Sequence, residues 1–391
     1  MRLSLRLFSI LLLSLFLTLP ACDSNDEEDD PNSDIPADPD TPPPPAADGA
    51  LIPSIALGEI DPDNPGRIPL VIGGVAYNSE TGLARFPATS SARLGSSSTF
   101  TVVDYTDDNL FIVEDGVVQG KVISVGAEGL KSDIVFVIDN TSSMGDEITG
   151  VRASVLDFIE VLETAGQDVT AGVVAYNDNL NNPEFSGVPA TDTRALPAVY
   201  GFVDLTTDFS TPGTLYQFIE NLPPVGGGDG PELALGGIDY ARRAFSWREG
   251  AQRVYILITD ATTWGQGFPE PNSKGIDADY FSTETLADVL LEDGSVVHVY
   301  SPDLFFDPSP PEYDVRPLAD LTGGIWNELN RSATFDLTDL GILETTLASA
   351  RVEFVKEGDP STTRPRTLRV VVRVEDDGRV FDGERTLTLS Y

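Results

Sequence analysis

Residues 132–143 read SDIVFVIDNTSS and establish the class of fold. Ile134 to Ile138 form a continuous apolar run, which is typical of a strand covered on both faces of a sheet. Three oxygen-bearing side chains, Asp139, Thr141 and Ser143, follow directly. Apolar residues then recur at helical spacing, namely Val151, Val155, Phe158, Ile159 and Leu162. The stretch predicts a buried strand, a polar turn and a covering helix.

The same alternation continues along the chain. Further buried strands are predicted at 169–176, 253–259 and 296–300. Helices are predicted at 214–222, 231–247, 283–292, 315–321 and 337–349. Strands that alternate with helices indicate an α/β class, with a doubly wound, mostly parallel sheet and right-handed crossovers, over residues 131–350.

The flanking regions have β character instead. Residues 51–130 contain short β-type runs, and Asp115-Gly116 is a two-residue hairpin signal. Residues 351–391 alternate apolar and polar side chains and contain a second turn signal, Asp377-Gly378. Two or three antiparallel strands are not stable alone. We therefore expect 351–391 to complete the β region of 51–130, so that the α/β domain is inserted into a small antiparallel β-sandwich.

Residues 1–21 are predicted to be a secretory signal. Arg2 and Arg6 precede an apolar run at 7–19 that is too short to be a reliable membrane span. The run ends in Leu-Pro-Ala-Cys22, which resembles a bacterial lipobox. The resemblance implies cleavage before Cys22, lipidation of this residue and stable attachment to a membrane. The alternative is an ordinary secretory signal beside a chance cysteine.

Residues 22–50 are predicted to be a disordered linker. Positions 23–50 hold 10 acidic side chains and no basic ones, and Pro42 to Pro45 stiffen the chain. Asp23 resembles an inner-membrane retention signal, whereas the acidic run at 26–30 resembles the export tag of surface lipoproteins in Bacteroidota-like bacteria. We expect an extracytoplasmic, lipid-anchored protein of the bacterial cell envelope, with the outer membrane or cell surface favoured over the inner membrane.

The charge excludes several classes of function. The chain of 391 residues has 63 acidic and 24 Lys or Arg side chains, a net charge of -39, and so lacks the basic face that nucleic-acid binding requires. One Cys and one His exclude an internal disulfide, a Cys-based zinc site and a multi-histidine centre. Only four Lys and an excess of acids are typical of surfaces adapted to high salt, which predicts stability that rises with salt.

Asp139, Thr141 and Ser143 form a D-x-T-x-S pattern at the predicted carboxyl end of the first α/β strand. Ligand sites of open α/β sheets lie at this edge. Two more loops reach the same edge, GGGDGPE at 226–232 and TDA at 259–261. Hard cations such as Mg²⁺ and Ca²⁺ prefer oxygen ligands. The sequence therefore predicts a divalent metal site here.

These motifs resemble those of the von Willebrand factor type A (VWA) family over roughly 131–350. SDIVFVID with Thr141 and Ser143 resembles the family's metal-ion-dependent adhesion site (MIDAS), and LITD at 257–260 its later Asp motif. GGGDGPE resembles a GGGDTPE loop of bacterial members, and LADLTGG at 318–324 the stretch before the last strand. The resemblance implies Mg²⁺, or Mn²⁺ or Ca²⁺, held in part through water by Asp139, Thr141, Ser143 and Asp260.

The sequence departs from the family pattern at Gly230, where the family usually has a metal-ligating Thr, and Asp229 is the expected substitute. Asp146 and Glu147 match the spacing of acids that build an adjacent metal site in integrin β subunits. The favoured alternative is that they complement the dipole of the first helical turn. Integrin β headpieces also insert this domain into a β-sandwich.

The resemblance implies a non-enzymatic binding or adhesion module, in which the metal captures a Glu or Asp of a protein partner. A structural or assembly lipoprotein with a degenerate metal site is the alternative, because of Gly230. A metal-assisted hydrolase is less favoured, since no base or nucleophile is evident beside the site and His298 lies in a strand predicted to be buried.

Overall fold

The computed structural model describes residues 68–390 with gaps at 74, 79, 90, 94–99, 103–104, 107, 126–130, 165–167, 178–198, 211–212, 228–230, 265–280, 304–313, 330–336, 338–349, 356–363 and 377–378. The strands are β1 (Val71–Ile72), β2 (Ala76–Asn78), β3 (Leu83–Thr89), β4 (Ser91–Arg93), β5 (Phe100–Val102), β6 (Leu110–Glu114), β7 (Val117–Val118), β8 (Lys121–Val125), β9 (Lys131–Asp139), β10 (Asp168–Tyr176), β11 (Val199–Thr206), β12 (Gln252–Ile258), β13 (Ser295–Ser301), β14 (Trp326–Glu328), β15 (Ala350–Val355), β16 (Pro365–Asp376) and β17 (Arg379–Ser390). The helices are α1 (Gly145–Thr164), α2 (Thr214–Glu220), α3 (Ala234–Ala244), α4 (Thr283–Glu292) and α5 (Pro317–Thr322).

The central sheet has the strand order β11-β10-β9-β12-β13-β14. All neighbours pair in parallel except β10 and β11, which are antiparallel. Helices α1 and α2 pack on one face, and α3, α4 and α5 pack on the other. The predicted doubly wound α/β fold is confirmed.

Strand β9 lies in the middle of this sheet and contributes to both apolar layers. Ile134, Phe136 and Ile138 face α1 and α2, whereas Val135 and Val137 face the other three helices. All five are fully buried. Because both faces are covered, the strand needs apolar residues at every position, and this is the origin of the continuous run in the sequence.

Helix α3 is shorter than the predicted helix over 231–247. It begins at Ala234 because Glu232 is held in a β-bridge to Thr263, and its backbone N–H donates to the Thr262 carbonyl at 2.8 Å. It ends before Phe245, which is extended and packs its ring 5.9 Å from that of Phe202. Tertiary contacts at both ends therefore override the helical pattern.

Most of the remaining strands form two antiparallel sheets packed into a sandwich, whereas β4 and β5 pair with each other as a separate two-stranded sheet. One sheet has the order β1-β3-β15-β8, with β2 also paired to β3, and the other has the order β17-β16-β6-β7. Strand β15 pairs with β3 and β8, and β16 pairs with β6, so strands from both sides of the α/β unit share each sheet. Their apolar residues form one core. Asp115 and Gly116 make the predicted hairpin, with φ of 48° and 87°.

The β-sandwich contacts the α/β unit through β1. Ile68, Leu70 and Ile72 belong to the sandwich core, whereas Val71 packs against α4 and β13. At Gly294, where φ is +68°, an added Cβ would lie 2.0 Å from the Ile72 carbonyl oxygen. This contact lies at the amino end of β13, so it is at the edge of the sheet away from the predicted metal site.

Several predictions lie outside the described residues. These are the signal and linker at 1–50 with Cys22, the turn at 377–378, and the helix at 337–349 beyond Leu337. Within the part of the chain that the structure describes, no helix has the length and apolar character needed to cross a bilayer.

Candidate metal centre

Asp139 is the last residue of β9 and is fully buried. One carboxylate oxygen, Oδ1, accepts hydrogen bonds from the Thr141 backbone N–H at 2.9 Å and the Thr141 hydroxyl at 2.8 Å. The other, Oδ2, accepts from the Thr259 hydroxyl at 2.8 Å. Because Thr259 follows β12, the carboxylate is fixed from two neighbouring strands.

A chain of oxygen atoms continues from this carboxylate to the surface. The hydroxyls of Thr141 and Ser143 lie 3.1 Å apart, and the Ser143 hydroxyl donates to Asp260 Oδ1 at 3.0 Å. Thr141 is buried and Ser143 is exposed. The structure therefore brings together Asp139, Thr141, Ser143 and Asp260, four of the five predicted ligands.

The local backbone explains this arrangement. Residues Ser142–Met144 form a short 3₁₀ turn, in which the Met144 N–H donates to the Thr141 carbonyl at 3.1 Å. The Met144 side chain is buried in the core under α1. The turn is thus anchored by an apolar residue, and the polar residues before it stay at the sheet edge.

The site is electrostatically poised for a cation. Burial raises the pKa of Asp139 to about 7, against the lowering effect of the Thr141 and Thr259 hydrogen bonds, and the neighbouring Asp260 raises it further. Burial also raises the pKa of Tyr176, and the negative charges of Asp139, Glu232 and Asp260 add to this effect. A buried carboxylate that is costly to ionise is stabilised by a nearby positive charge.

The donor set fits a hard divalent cation. Over the described residues, no three Asp, Glu, His or Cys side chains converge as a metal-binding group. A cation here therefore depends on the hydroxyls of Thr141 and Ser143 as well as on the two carboxylates. Oxygen ligands of this kind suit Mg²⁺, Ca²⁺ and Mn²⁺.

A further buried carboxylate, Glu232, lies at the same site and was not predicted from the sequence. A Cβ added at Gly227 would lie 3.2 Å from Glu232 Oε1 and 3.3 Å from the Thr141 Cβ, so both side chains border the backbone at Gly227. The sequence signal that could have indicated Glu232 is its position at the end of the GGGDGPE loop, shortly before an apolar helix. Asp229 and Gly230 of the same loop lie outside the described residues.

The adjacent acids Asp146 and Glu147 fall in the first turn of α1, which begins at Gly145. Glu147 is 6% exposed. Their role in a second metal site stays a prediction, because the described contacts do not test it.

His298 lies in β13 and is buried. Its Nδ1 accepts a hydrogen bond from the Ile325 backbone N–H at 3.1 Å, and burial lowers its pKa to about 3. The imidazole is therefore a neutral acceptor that joins β13 to the segment before β14.

Comparisons with known proteins match part of this chain. The model of the von Willebrand factor type A domain matches residues 133–288. The alpha-protein kinase vwkA of Dictyostelium discoideum is 25% identical over 164 residues, which cover 40% of this chain and 23% of the kinase. The chain thus spans under a quarter of the length of this curated relative.

Solved structures of proximal thread matrix protein 1 from the mussel byssus also match. One, described as having a zinc-occupied MIDAS motif, is 19% identical with a TM-score of 0.37, covering 59% of this chain and 49% of that chain. Another is 15% identical with a TM-score of 0.37, covering 60% of this chain and 51% of that chain. Residues 133–288, from β9 into α4, therefore match the von Willebrand factor type A domain in sequence, and the oxygen cluster lies at the carboxyl edge of the sheet that these residues help to form.

Proposed function

We propose that this protein is an extracytoplasmic binding or adhesion module that captures an acidic group of a protein partner through a divalent cation. VWA domains are generally protein-binding modules. The observation that carries the proposal is the continuous set of oxygen atoms from buried Asp139 through Thr141 and Ser143 to Asp260. It joins the sheet interior to the surface, so a cation held there is accessible to a partner.

Asp139, Thr141, Ser143 and Asp260 would hold the cation, directly or through water. When bound, the cation supplies an electrophilic position that an incoming Glu or Asp carboxylate completes. The protein's own groups prepare this position. Thr259 fixes Asp139 by its hydrogen bond at 2.8 Å, and Ser143 places its hydroxyl on the exposed side of the cluster.

Glu232 is proposed to provide the ligand that Gly230 cannot. Glycine has no side chain to replace the usual threonine hydroxyl, whereas the Glu232 carboxylate is buried and borders Gly227, as does Thr141. Its charge makes the site more negative, which strengthens the hold on a cation and weakens the pull of that cation on an incoming acid. Asp229 remains a second candidate in the same loop.

We further propose that lipidated Cys22 anchors the chain in the bacterial cell envelope, with residues 23–50 as an extended spacer. The acidic, proline-containing composition of this segment supports a spacer. Labelling with a fatty-acid analogue tests the anchor: wild type should incorporate label and Cys22→Ala should not.

Isothermal titration of the full-length chain with Mg²⁺, Mn²⁺ and Ca²⁺ tests the metal site. Wild type should bind at least one cation, and Asp139→Asn should not. Asp157→Asn is the matched control, because it removes the same charge from an exposed position on α1. Partner binding in pull-downs should disappear with EDTA.

A second function, a structural lipoprotein with a degenerate metal site, is favoured by Gly230 alone. Absence of binding heat with all three cations, for a correctly folded wild type, would select it. We propose no enzymatic activity, although one relative carries the name of a kinase. Turnover of a substrate that is lost in Asp139→Asn would overturn this part.

A further inference from the structure

The two intervening residues of the D-x-T-x-S motif, Asn140 and Ser142, bond to a separate segment, Pro223–Gly226. The Asn140 carbonyl accepts from the Val225 N–H at 2.6 Å, and its side-chain amide donates to the Pro223 carbonyl at 3.3 Å. Ser142 donates twice to the Gly226 carbonyl, from its N–H at 3.3 Å and from its hydroxyl at 3.0 Å. Four hydrogen bonds therefore join the motif to a segment about 80 residues away in the chain.

The clamped segment leads directly into the rest of the site. Gly226 and Gly227 have φ of +85° and +74°, so the chain turns sharply as it leaves the clamp. Side chains at these two positions would meet Asn177 at 3.2 Å, and Glu232 and Thr141 at 3.2 and 3.3 Å. The backbone at Gly226 and Gly227 therefore packs closely against Asn177, Glu232 and Thr141.

The outer side of the same segment faces solvent. Pro224 and, directly after the segment, Gly227 are exposed, as are Ser142 and Ser143, whose hydroxyl belongs to the oxygen cluster. Asn140 is fully buried beneath them. The segment consequently forms part of the rim that a partner meets when it approaches the metal.

We infer that Asn140 and Ser142 are positioning residues: they clamp the segment Pro223–Gly226 onto the metal-binding turn and so set the metal affinity of the site. This inference rests on the proposed metal-dependent function. The alternating motif then has two roles, with its oxygen ligands at Asp139, Thr141 and Ser143 and its clamp at the two residues between them.

Ser142 offers the sharper test, because it is exposed and its truncation leaves no buried cavity. Ser142→Ala removes the hydroxyl bond to Gly226, and Ser142→Thr keeps a hydroxyl. Ser154→Ala is the matched control, since the Ser154 hydroxyl also donates to one backbone carbonyl, that of Gly150 at 2.6 Å, but within α1. Each full-length variant is titrated with Mg²⁺, Mn²⁺ and Ca²⁺, and hydrogen exchange of the Val225 amide is followed without metal.

Ser142→Ala should weaken binding of the cation that wild type binds by roughly tenfold, the change that corresponds to about 1.4 kcal/mol. It should also speed exchange at Val225. Ser142→Thr should restore both, and Ser154→Ala should change neither. If wild type binds a cation and Ser142→Ala binds it equally well, the clamp is refuted and the proposed function stands. If wild type binds none of the cations, the proposed function fails and the positioning role fails with it.

Discussion

Replacing Asp139 by Asn should stabilise the metal-free protein while it abolishes metal binding. Asp139 is fully buried, and its pKa is raised from 3.8 to about 7. The folded state therefore binds the proton of the Asp139 carboxyl group more tightly than the unfolded state does. The stability that protonation of Asp139 provides is present at low pH and is lost as the pH rises through about 7. Metal-free wild type therefore becomes less stable between pH 3.8 and pH ~7.

The magnitude follows from the shift of ~3 pKa units, which corresponds to ~4 kcal/mol of lost stability above pH ~7. The side chain of the Asp139→Asn variant has no charge to bury, and its amide oxygen can still accept from Thr141. The amide nitrogen cannot accept the Thr259 hydrogen bond, a loss on the order of 1 kcal/mol, so the net gain expected for the variant is ~3 kcal/mol.

Urea unfolding at a series of pH values from about 4 to about 8, in EDTA, measures this difference. The gap between Asp139→Asn and wild type should open as pH rises, whereas Asp157→Asn should follow wild type. When EDTA is replaced by the cation that wild type binds, at a free concentration of ~100 times its Kd, wild type should be stabilised by ~2.7 kcal/mol and the stability of Asp139→Asn should not change. A gap that is constant across the pH range would show that Asp139 is not a buried charge.

Other predictions concern the scaffold. Because burial lowers the pKa of His298 from 6.5 to about 3, this residue is protonated in the unfolded chain before it is protonated in the folded protein, and stability should fall as the pH drops from ~6.5 towards ~3; His298→Gln should reduce this fall by up to ~5 kcal/mol in unfolding curves. Gly294→Ala should destabilise by more than ~2 kcal/mol in chemical unfolding, since its Cβ would meet the Ile72 carbonyl at a positive φ; an unchanged midpoint would mean that the two units do not touch there. Glu114→Gln should cost ~3 kcal/mol or more, because it breaks a buried ion pair with Arg366 at 2.6 Å, and a loss below ~1 kcal/mol in urea unfolding would contradict this.

Local patterns were sufficient for most of the scaffold. The apolar run of β9 predicted a strand covered on both faces because side chains alternate across a strand, and both faces carry helices. The Asp115-Gly116 hairpin followed from the need for positive φ at both turn positions. The fold class could therefore be predicted from local backbone geometry, which depends on residues close together in the sequence.

Local patterns failed where distant contacts competed with them. Residues 231–233 have the composition of a helix start, but the bridge of Glu232 to Thr263 holds them outside α3. With Glu232 held in this bridge, its carboxylate borders Gly227, as does the Thr141 side chain. Hydrophobic periodicity is a property of one segment. It therefore cannot reveal a β-bridge to a distant residue that excludes residues 231–233 from the helix.

The sequence by itself determined the chemistry of this protein: the oxygen-bearing motif at the end of β9, the second acid at Asp260 and an acidic composition, from which we predict that nucleic acid is not a partner. Only the tertiary structure decided which side chains meet. It placed Ser143, which follows β9, within hydrogen-bond distance of Asp260, which follows the neighbouring strand β12. It also brought Glu232 close to Gly227 and bonded Asn140 and Ser142 to Pro223–Gly226. The physical reason is that ligand type is a property of single residues, whereas distances between loops are set by the order of strands in the sheet.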